Sequence, residues 1–436
     1  MKMSYPSRNN ICSATGGTVT LASMKKFLPS LLGAALLALT SGCASSPTSS
    51  TAWQGPPAVI LVSLDGFRAD YLSRGLTPHI QALAQDGVTT EGMHPSFPSI
   101  TFPNHYTLVT GLRPDHHGIV GNTFYDPDHP GQKFTMRSTD SFWWSEADPI
   151  WVTAKQHGLN VGTLFWPGSE SAVHDTRPDE WLPFDYKMSD TDRVDKLLSW
   201  YDAPAEKRPH FSTLYFNVVD TAGHHFGPES PEVNAALQDV DAGIGRLVDG
   251  LKKRHIPADI IVVADHGMAS VGNGQLIEMD KVAPSSSYRW VTGGAYAGVD
   301  PLPGKQAKLE KALLRPHDHM ECWKKEALPA RFHYGTNPRV PAYICLAQQG
   351  WVILETTPDA SKAPIRGEHG YDPALPDMSA LFVAHGPDFK QHQVLPPFDN
   401  VDVYSLVMAL LHIPANPSDG DLKPFESVLT PSTQAQ

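Results

Sequence analysis

The chain has 436 residues, 41% hydrophobic and 18% charged, and its 34 lysines and arginines against 46 aspartates and glutamates give a formal net charge of −12. That length suffices for a large buried core, and the acidic balance offers no basic stripe of the kind that grips a nucleic-acid backbone. Thirty-nine prolines point to many fixed connections rather than long helices, and 20 histidines against four cysteines direct any metal chemistry toward nitrogen and oxygen donors.

The chain order opens on an address. Met24, Lys25 and Lys26 precede a 13-residue apolar run, residues 27–39, that ends in Thr40-Ser41-Gly42-Cys43. Two positive charges, a short hydrophobic stretch and small residues at the exit make an export signal. The run is shorter than the roughly 20 residues that a membrane span needs. Residues 1–42 are therefore expected to be an upstream extension plus signal peptide, with Met24 as the biological start. The exit resembles a bacterial lipoprotein box, with Thr40 where that box carries Leu, so Cys43 is expected either as a membrane lipid anchor or beside a plain cleavage point. Either way the mature chain is expected in the periplasm. Residues 43–57, rich in Ser, Thr, Ala and Pro, read as a flexible tether, and 58–431 as a single domain. With Cys12 in the extension and Cys43 at the processing point, Cys322 and Cys345 are left to form one disulfide in an oxidising compartment, or to stay as two buried thiols.

From Ala58 onward short apolar runs alternate with amphipathic stretches, the pattern of an α/β fold with a mostly parallel sheet sandwiched between helices. Strands are predicted over residues 59–64, 214–219, 260–264 and 380–384. Helices are predicted over 77–85, 150–157, 190–201, 231–254 and 401–411, and the proline-rich stretch 300–363 stays unassigned.

Three of the strands are followed by carboxylates: Asp65 after Leu64, Asp220 after Val219, and Asp265 after Ala264. Ligands in open α/β sheets bind beyond the carboxyl ends of the strands, so the three can converge on one site. Taken singly, each could be only a helix cap or a turn former. His224 and His266 accompany two of them, and an Asp/His set of this kind suits zinc. A second segment, residues 95–111, presents Thr101 in a proline-rich turn ahead of a helix. A hydroxyl becomes a good nucleophile only when a base or metal activates it, and a helix start aims N–H groups at an anion.

The runs Asp65-Gly66-Phe67-Arg68, Thr101-Phe102-Pro103-Asn104-His105-Tyr106, Thr110-Gly111-Leu112-Arg113-Pro114 through Gly121-Asn122, the Asp220/His224 pair, Asp265-His266-Gly267 and Gly367-Glu368-His369-Gly370-Tyr371 carry a resemblance. Together, and in this order, they resemble the nucleotide pyrophosphatase/phosphodiesterase family of the alkaline phosphatase superfamily over most of residues 58–412. The resemblance implies an alkaline-phosphatase-like core holding two Zn²⁺ per chain. Asp220, His224 and His369 match the ligands of one ion; Asp65, Asp265, His266 and the Thr101 hydroxyl match those of the other. It further implies that Thr101 attacks a phosphodiester to form a covalent phosphothreonine, while Asn122 and the Phe102 N–H donate to a phosphoryl oxygen. A neutral donor there fits a diester better than a monoester.

Phe184 matches the position where nucleotide-selective members stack an aromatic ring on the base, with Phe102 on its other side; two aromatics buried in the core is the competing reading. The expected substrates are small nucleotide diesters and pyrophosphates, cleaved to nucleoside 5'-monophosphates, with no binding of duplex nucleic acid. The same chemistry on a choline-type lysophospholipid headgroup or a phosphonate is a second enzyme reading. A zinc-stapled surface binding protein is a third. His105, His116, His117, His225 and His385 are expected in structural roles, and Glu368 either orients His369 or faces solvent.

Overall fold

All seven residues of the first strand, β1 (Ala58–Leu64), are buried. Since successive side chains point to opposite faces, both faces of that strand must be covered by protein. The computed structural model describes Trp53, residues 55–359 and residues 363–434; the expected leader and Cys43 lie outside these. Trp53, near the end of the expected tether, packs its ring 6.2 Å from that of Tyr201.

β1 lies near the middle of an eight-stranded sheet. Its other strands are β2 (Val88–Thr90), β3 (Val161–Leu164), β4 (Glu180–Leu182), β5 (Phe211–Phe216), β6 (Ala258–Val263), β7 (Phe382–His385) and β8 (Gln393–Leu395), in the spatial order β8-β2-β7-β6-β1-β5-β3-β4. The run β6-β1-β5-β3-β4 is parallel, whereas β7 is antiparallel to both its neighbours.

The helices that bear on the site or frame the sheet are α1 (Pro78–Asp86), α2 (Thr101–Thr110), α3 (Ile150–Gln156), α4 (Asp190–Trp200), α5 (Val218–Phe226), α6 (Pro231–Lys253), α7 (Gln306–Leu313) and α8 (Asp402–Leu410). The Ser230 hydroxyl caps α6 by accepting from the Val233 N–H, and Val233, Leu237, Val240, Ile244, Leu247 and Leu251 form its buried stripe. α6 packs on α1, α4 and α5, and α2 packs on α8.

The five helices read from periodicity all form, each within a residue or so of its expected ends. One strand ends earlier than expected. The apolar run expected as a strand over 214–219 pairs only to Phe216, and α5 begins at Val218, so Asp220 stands in the first turn of a helix. Val218 and Val219 continue the hydrophobic run without a polar break, which hides the strand-to-helix boundary.

The unassigned stretch supplies α7, a short strand, Val352–Leu354, that pairs with Leu276–Glu278, and two longer strands, Met320–Lys324 and Tyr343–Ala347. These join Tyr288–Thr292 and Tyr296–Pro301 in a four-stranded antiparallel sheet with its own apolar cluster around Leu309, Leu313, Val299 and Tyr343. Cys322 and Cys345 face each other in register on that sheet and are disulfide-bonded. Among the described residues no helix is long and apolar enough to cross a membrane.

Candidate active site

The parallel register of β6, β1 and β5 brings their carboxyl ends to one edge of the sheet. After β1 the chain turns at Asp65-Gly66. Gly66 has φ +69°, and a Cβ there would lie 3.0 Å from the Asp220 Cα, so this turn needs both a left-handed backbone and the absence of a side chain. The Asp220 N–H donates to the Asp65 carbonyl at 3.0 Å, and the Gly66 N–H donates to Asp265 Oδ1 at 3.2 Å. His369 is delivered by a short antiparallel pairing of Gly367–Glu368 with Ala269–Ser270.

Two clusters result. In one, Asp220 Oδ1 lies 3.4 Å from both His224 Nε2 and His369 Nε2, and those two nitrogens are 3.0 Å apart. In the other, His266 Nε2 lies 2.9 Å from Asp265 Oδ2, 3.6 Å from Asp65 Oδ1 and 3.4 Å from Thr101 Oγ1. Each of the three imidazoles donates from Nδ1 to a backbone carbonyl: His224 to Gly367, His369 to Ser99 and His266 to Gly267. That fixes the ring orientations and turns every Nε2 inward, the usual arrangement behind metal-bound histidine.

The remaining atoms fit a cation in the same way. Asp65 Oδ1, Asp220 Oδ1 and Asp265 Oδ2 are buried and receive no hydrogen bond from the described residues. Burial and the charges of Asp265 and Asp220 push Asp65 well above the usual carboxylate range. Burial works against ionisation of Asp220 as well, but His224 outweighs it and holds that carboxyl at about 2. Burial opposes charge on His224, yet Asp220 raises it to about 10. Burial drives His369 down to about 3. Converging acceptors of this kind, imidazole nitrogen with carboxylate oxygen, form candidate metal-ligand groups.

Thr101 is the first residue of α2, so its hydroxyl sits where helix N–H groups and the helix dipole favour an anion. It borders a cavity of about 480 Å³ that is also lined by Asp65, Asp220, His224 and His369 and walled by Phe102, Phe184, Tyr186 and Met136. Phe184 is 45% exposed, its ring edge-on to Phe165 at 5.3 Å; Phe102 leans on Phe134 and Trp144. Phe184 is therefore not a core aromatic, whereas Phe102 is partly buried, packing against the core on one side and bordering the cavity on the other. The Phe102 N–H donates to Asn122 Oδ1 at 2.9 Å, so it is already committed, and the group that Asn122 leaves for a ligand is its Nδ2 amide.

The structure thus brings together Asp65, Thr101, Asp220, His224, Asp265, His266, His369, Asn122, Phe102 and Phe184. His116 pairs with Asp419 and His385 with Asp86, while His117 is buried against Thr107. His225 donates to the Thr221 carbonyl. Glu368 accepts from the His369 N–H at 3.0 Å, so it fixes the backbone of that residue and not its ring. Sequence reasoning missed Tyr215, whose hydroxyl donates to Asp65 Oδ2 at 2.5 Å; inside an apolar strand run it looks like one more core residue. It also missed Met136 and Tyr186, which no motif marks.

Comparisons with known proteins identify the family to which this fold belongs. Residues 59–372 match the family Type I phosphodiesterase / nucleotide pyrophosphatase. The chain is 35% identical to bis(5'-adenosyl)-triphosphatase enpp4 of Xenopus laevis, covering 91% of this chain and 86% of that protein. It is 36% identical to human ectonucleotide pyrophosphatase/phosphodiesterase family member 5, covering 85% of this chain and 78% of that one. The solved structure of the murine family member 5, as an inactive threonine-to-alanine variant in complex with AMP, superposes with a TM-score of 0.82 at 35% identity over 86% of this chain and all of that one. By fold, by motif order and by these likenesses, the chain belongs to the type I phosphodiesterase/nucleotide pyrophosphatase enzymes of the alkaline phosphatase superfamily.

Proposed function

We propose that the chain is an exported, zinc-dependent hydrolase of phosphodiester and pyrophosphate bonds in nucleotides, releasing nucleoside 5'-monophosphates from a single catalytic domain over residues 58–431. The observation that carries this is the position of Thr101. Its hydroxyl stands at a helix start, 3.4 Å from His266 Nε2, on a cavity with aromatic walls.

Asp220, His224 and His369 would hold one Zn²⁺, and Asp65, Asp265 and His266 with Thr101 Oγ1 the other. When bound, the two ions supply Lewis-acid charge at the nucleophile and at the phosphoryl oxygens. Thr101 Oγ1 attacks phosphorus and expels the alcohol or phosphate leaving group, forming a phosphothreonine ester. Water then cleaves that P–O bond, releasing the monophosphate and restoring the hydroxyl. The Phe102 N–H holds the Asn122 carbonyl oxygen, so Nδ2 donates to a non-bridging oxygen; a neutral donor suits the single charge of a diester. The N-terminus of α2 adds to this stabilisation. Phe102 and Phe184 bracket the base, with stacking worth ~1–3 kcal/mol.

The named activity of the Xenopus relative and the AMP bound to the murine one support a nucleotide substrate. The Cys322–Cys345 disulfide supports an oxidising compartment. We place the chain in the periplasm, with Cys43 either carrying a membrane lipid anchor or lying beside a plain cleavage point.

The test is hydrolysis of p-nitrophenyl thymidine 5'-monophosphate against p-nitrophenyl phosphorylcholine, with metal analysis, in the wild type and Thr101→Ala. Nucleotide preference and two zincs per chain are expected, with turnover lost in the variant. Preference for the choline ester overturns the substrate assignment, and turnover retained by Thr101→Ala overturns the nucleophile.

A further inference from the structure

One buried imidazole at the site has no part in the mechanism above. His105 lies on α2 one turn after Thr101, and it is fully buried. Its Nδ1 is 2.9 Å from the carbonyl oxygen of Thr101 and 3.3 Å from Asp265 Oδ2. The carbonyl only accepts, so Nδ1 carries the proton and donates to it, and that N–H end of the ring faces the Asp265 carboxylate at ion-pair distance. Nε2 is 2.7 Å from Ser63 Oγ, and in the neutral ring it accepts from that hydroxyl. Both ring nitrogens are therefore occupied, which excludes His105 as a ligand although it stands beside Asp65 and Asp265.

The rest of the ring is clamped. Trp166 and Tyr215 meet it edge-on at 5.0 and 5.2 Å, and the Trp166 indole N–H donates to the His105 carbonyl. Tyr215 in turn donates to Asp65. A packing residue could be any apolar side chain of similar volume. This one gives its single donor to the backbone of the residue that carries the nucleophile, and the same nitrogen faces a carboxylate of the adjoining cluster, which the Thr101 hydroxyl reaches only by way of His266.

We infer that His105 is a positioning residue for phosphoryl transfer: its Nδ1–H sets the Thr101 backbone and the Asp265 carboxylate at a fixed separation, so nucleophile and ligand cluster move as one unit. The inference rests on the roles given above to Thr101 and Asp265. Partners of this kind, one bond removed from a metal ligand, are worth 10–100-fold in metal affinity or activity.

Two polar variants separate positioning from packing. His105→Asn keeps an N–H close to the place of Nδ1, whereas His105→Gln carries its amide to the place of Nε2, toward Ser63. The Gln variant is expected to lose roughly 10–100-fold in kcat and in zinc affinity, measured by competition with a chromogenic chelator. The Asn variant is expected to stay within about threefold of wild type in both. KM should hold in both variants, because His105 does not reach the cavity. Equal behaviour of the two variants in kcat and zinc affinity, including equal loss of thermal stability alone, overturns the inference. A wild type that cleaves no phosphodiester defeats the functional reading instead, and the zinc-affinity comparison still decides whether His105 positions Asp265.

Discussion

The imidazole rings of His266 and His369 are stacked, 3.6 Å between centroids and 13° from parallel. One belongs to the Asp65/Asp265 cluster and the other to the Asp220/His224 cluster, so the two clusters share a wall. Each ring is held at Nδ1 by a different carbonyl, Gly267 for His266 and Ser99 for His369. His369→Ala should therefore do more than remove one ligand. Metal analysis after dialysis is expected to fall from two zincs toward one, with affinity at the remaining site weakened as well. The loss should exceed the ~10–100-fold that an outer hydrogen-bond partner costs. Two tightly held ions in this variant would contradict the assignment of His369.

The buried carboxylates predict how metal removal acts on stability. Burial, together with the neighbouring Asp265 and Asp220 carboxylates, raises Asp65 well above its usual range, and a cation bound only by the folded chain stabilises it by mass action. A strong chelator should lower the thermal midpoint, and added Zn²⁺ should restore it by an amount that grows with free zinc, about 1.4 kcal/mol for each tenfold excess over Kd. A midpoint indifferent to both additions would remove the case for a metal site.

Asp65 and Asp265-His266 were legible because a β-branched strand ending in a sharp polar turn is a local signal, and each carboxylate lies within two residues of its strand. Asp220 was found for a less secure reason: the hydrophobic run concealed that it opens a helix. Residues 300–363 could not be read, since the pairing of Val299 with Tyr343 is non-local and each strand there is too short for a periodicity. The histidine surplus misleads in a different way. His174, His255, His319, His333, His392 and His412 all adopt positive φ, a backbone region in which His is enriched among non-glycine residues. Their abundance thus reflects turns and helix ends more than metal chemistry. Tyr215 and His105 stayed hidden because their partners, Asp65 and the Thr101 carbonyl, meet them only in the folded chain.

The Phe102 N–H to Asn122 Oδ1 bond assigns the amide its orientation and gives a kinetic signature. If Nδ2 donates to an oxygen whose charge grows during phosphoryl transfer, its loss is felt in the transition state. Asn122→Ala should then lower kcat and kcat/KM together, by roughly 10²–10³-fold, with little change in KM. Steady-state kinetics on a nucleotide p-nitrophenyl ester reads this directly. A rise in KM at unchanged kcat would mean that Asn122 only holds the ground state.

Asp259 predicts a pH dependence that has nothing to do with the site. It is the second residue of β6, at the end of that strand remote from Asp265, and it is fully buried. Burial raises its carboxyl from the ordinary value of 3.8 to about 8, aided by the nearby Asp388 carboxylate and opposed by the Asp388 N–H that donates to Oδ1 at 3.0 Å. With the folded value above the unfolded one, the stabilising contribution is fully present below pH 3.8 and is lost as pH rises through about 8. Across that window the folded chain keeps a proton that the unfolded chain has shed, so this group alone lowers stability by about 1.4 kcal/mol per pH unit. Asp259→Asn keeps the oxygen that accepts from Asp388 and removes the titration. Its midpoint relative to wild type should rise between pH 5 and pH 8, the contributions of all other groups cancelling in the difference. An offset equal at the two pH values would show that Asp259 is ionised in the folded chain throughout.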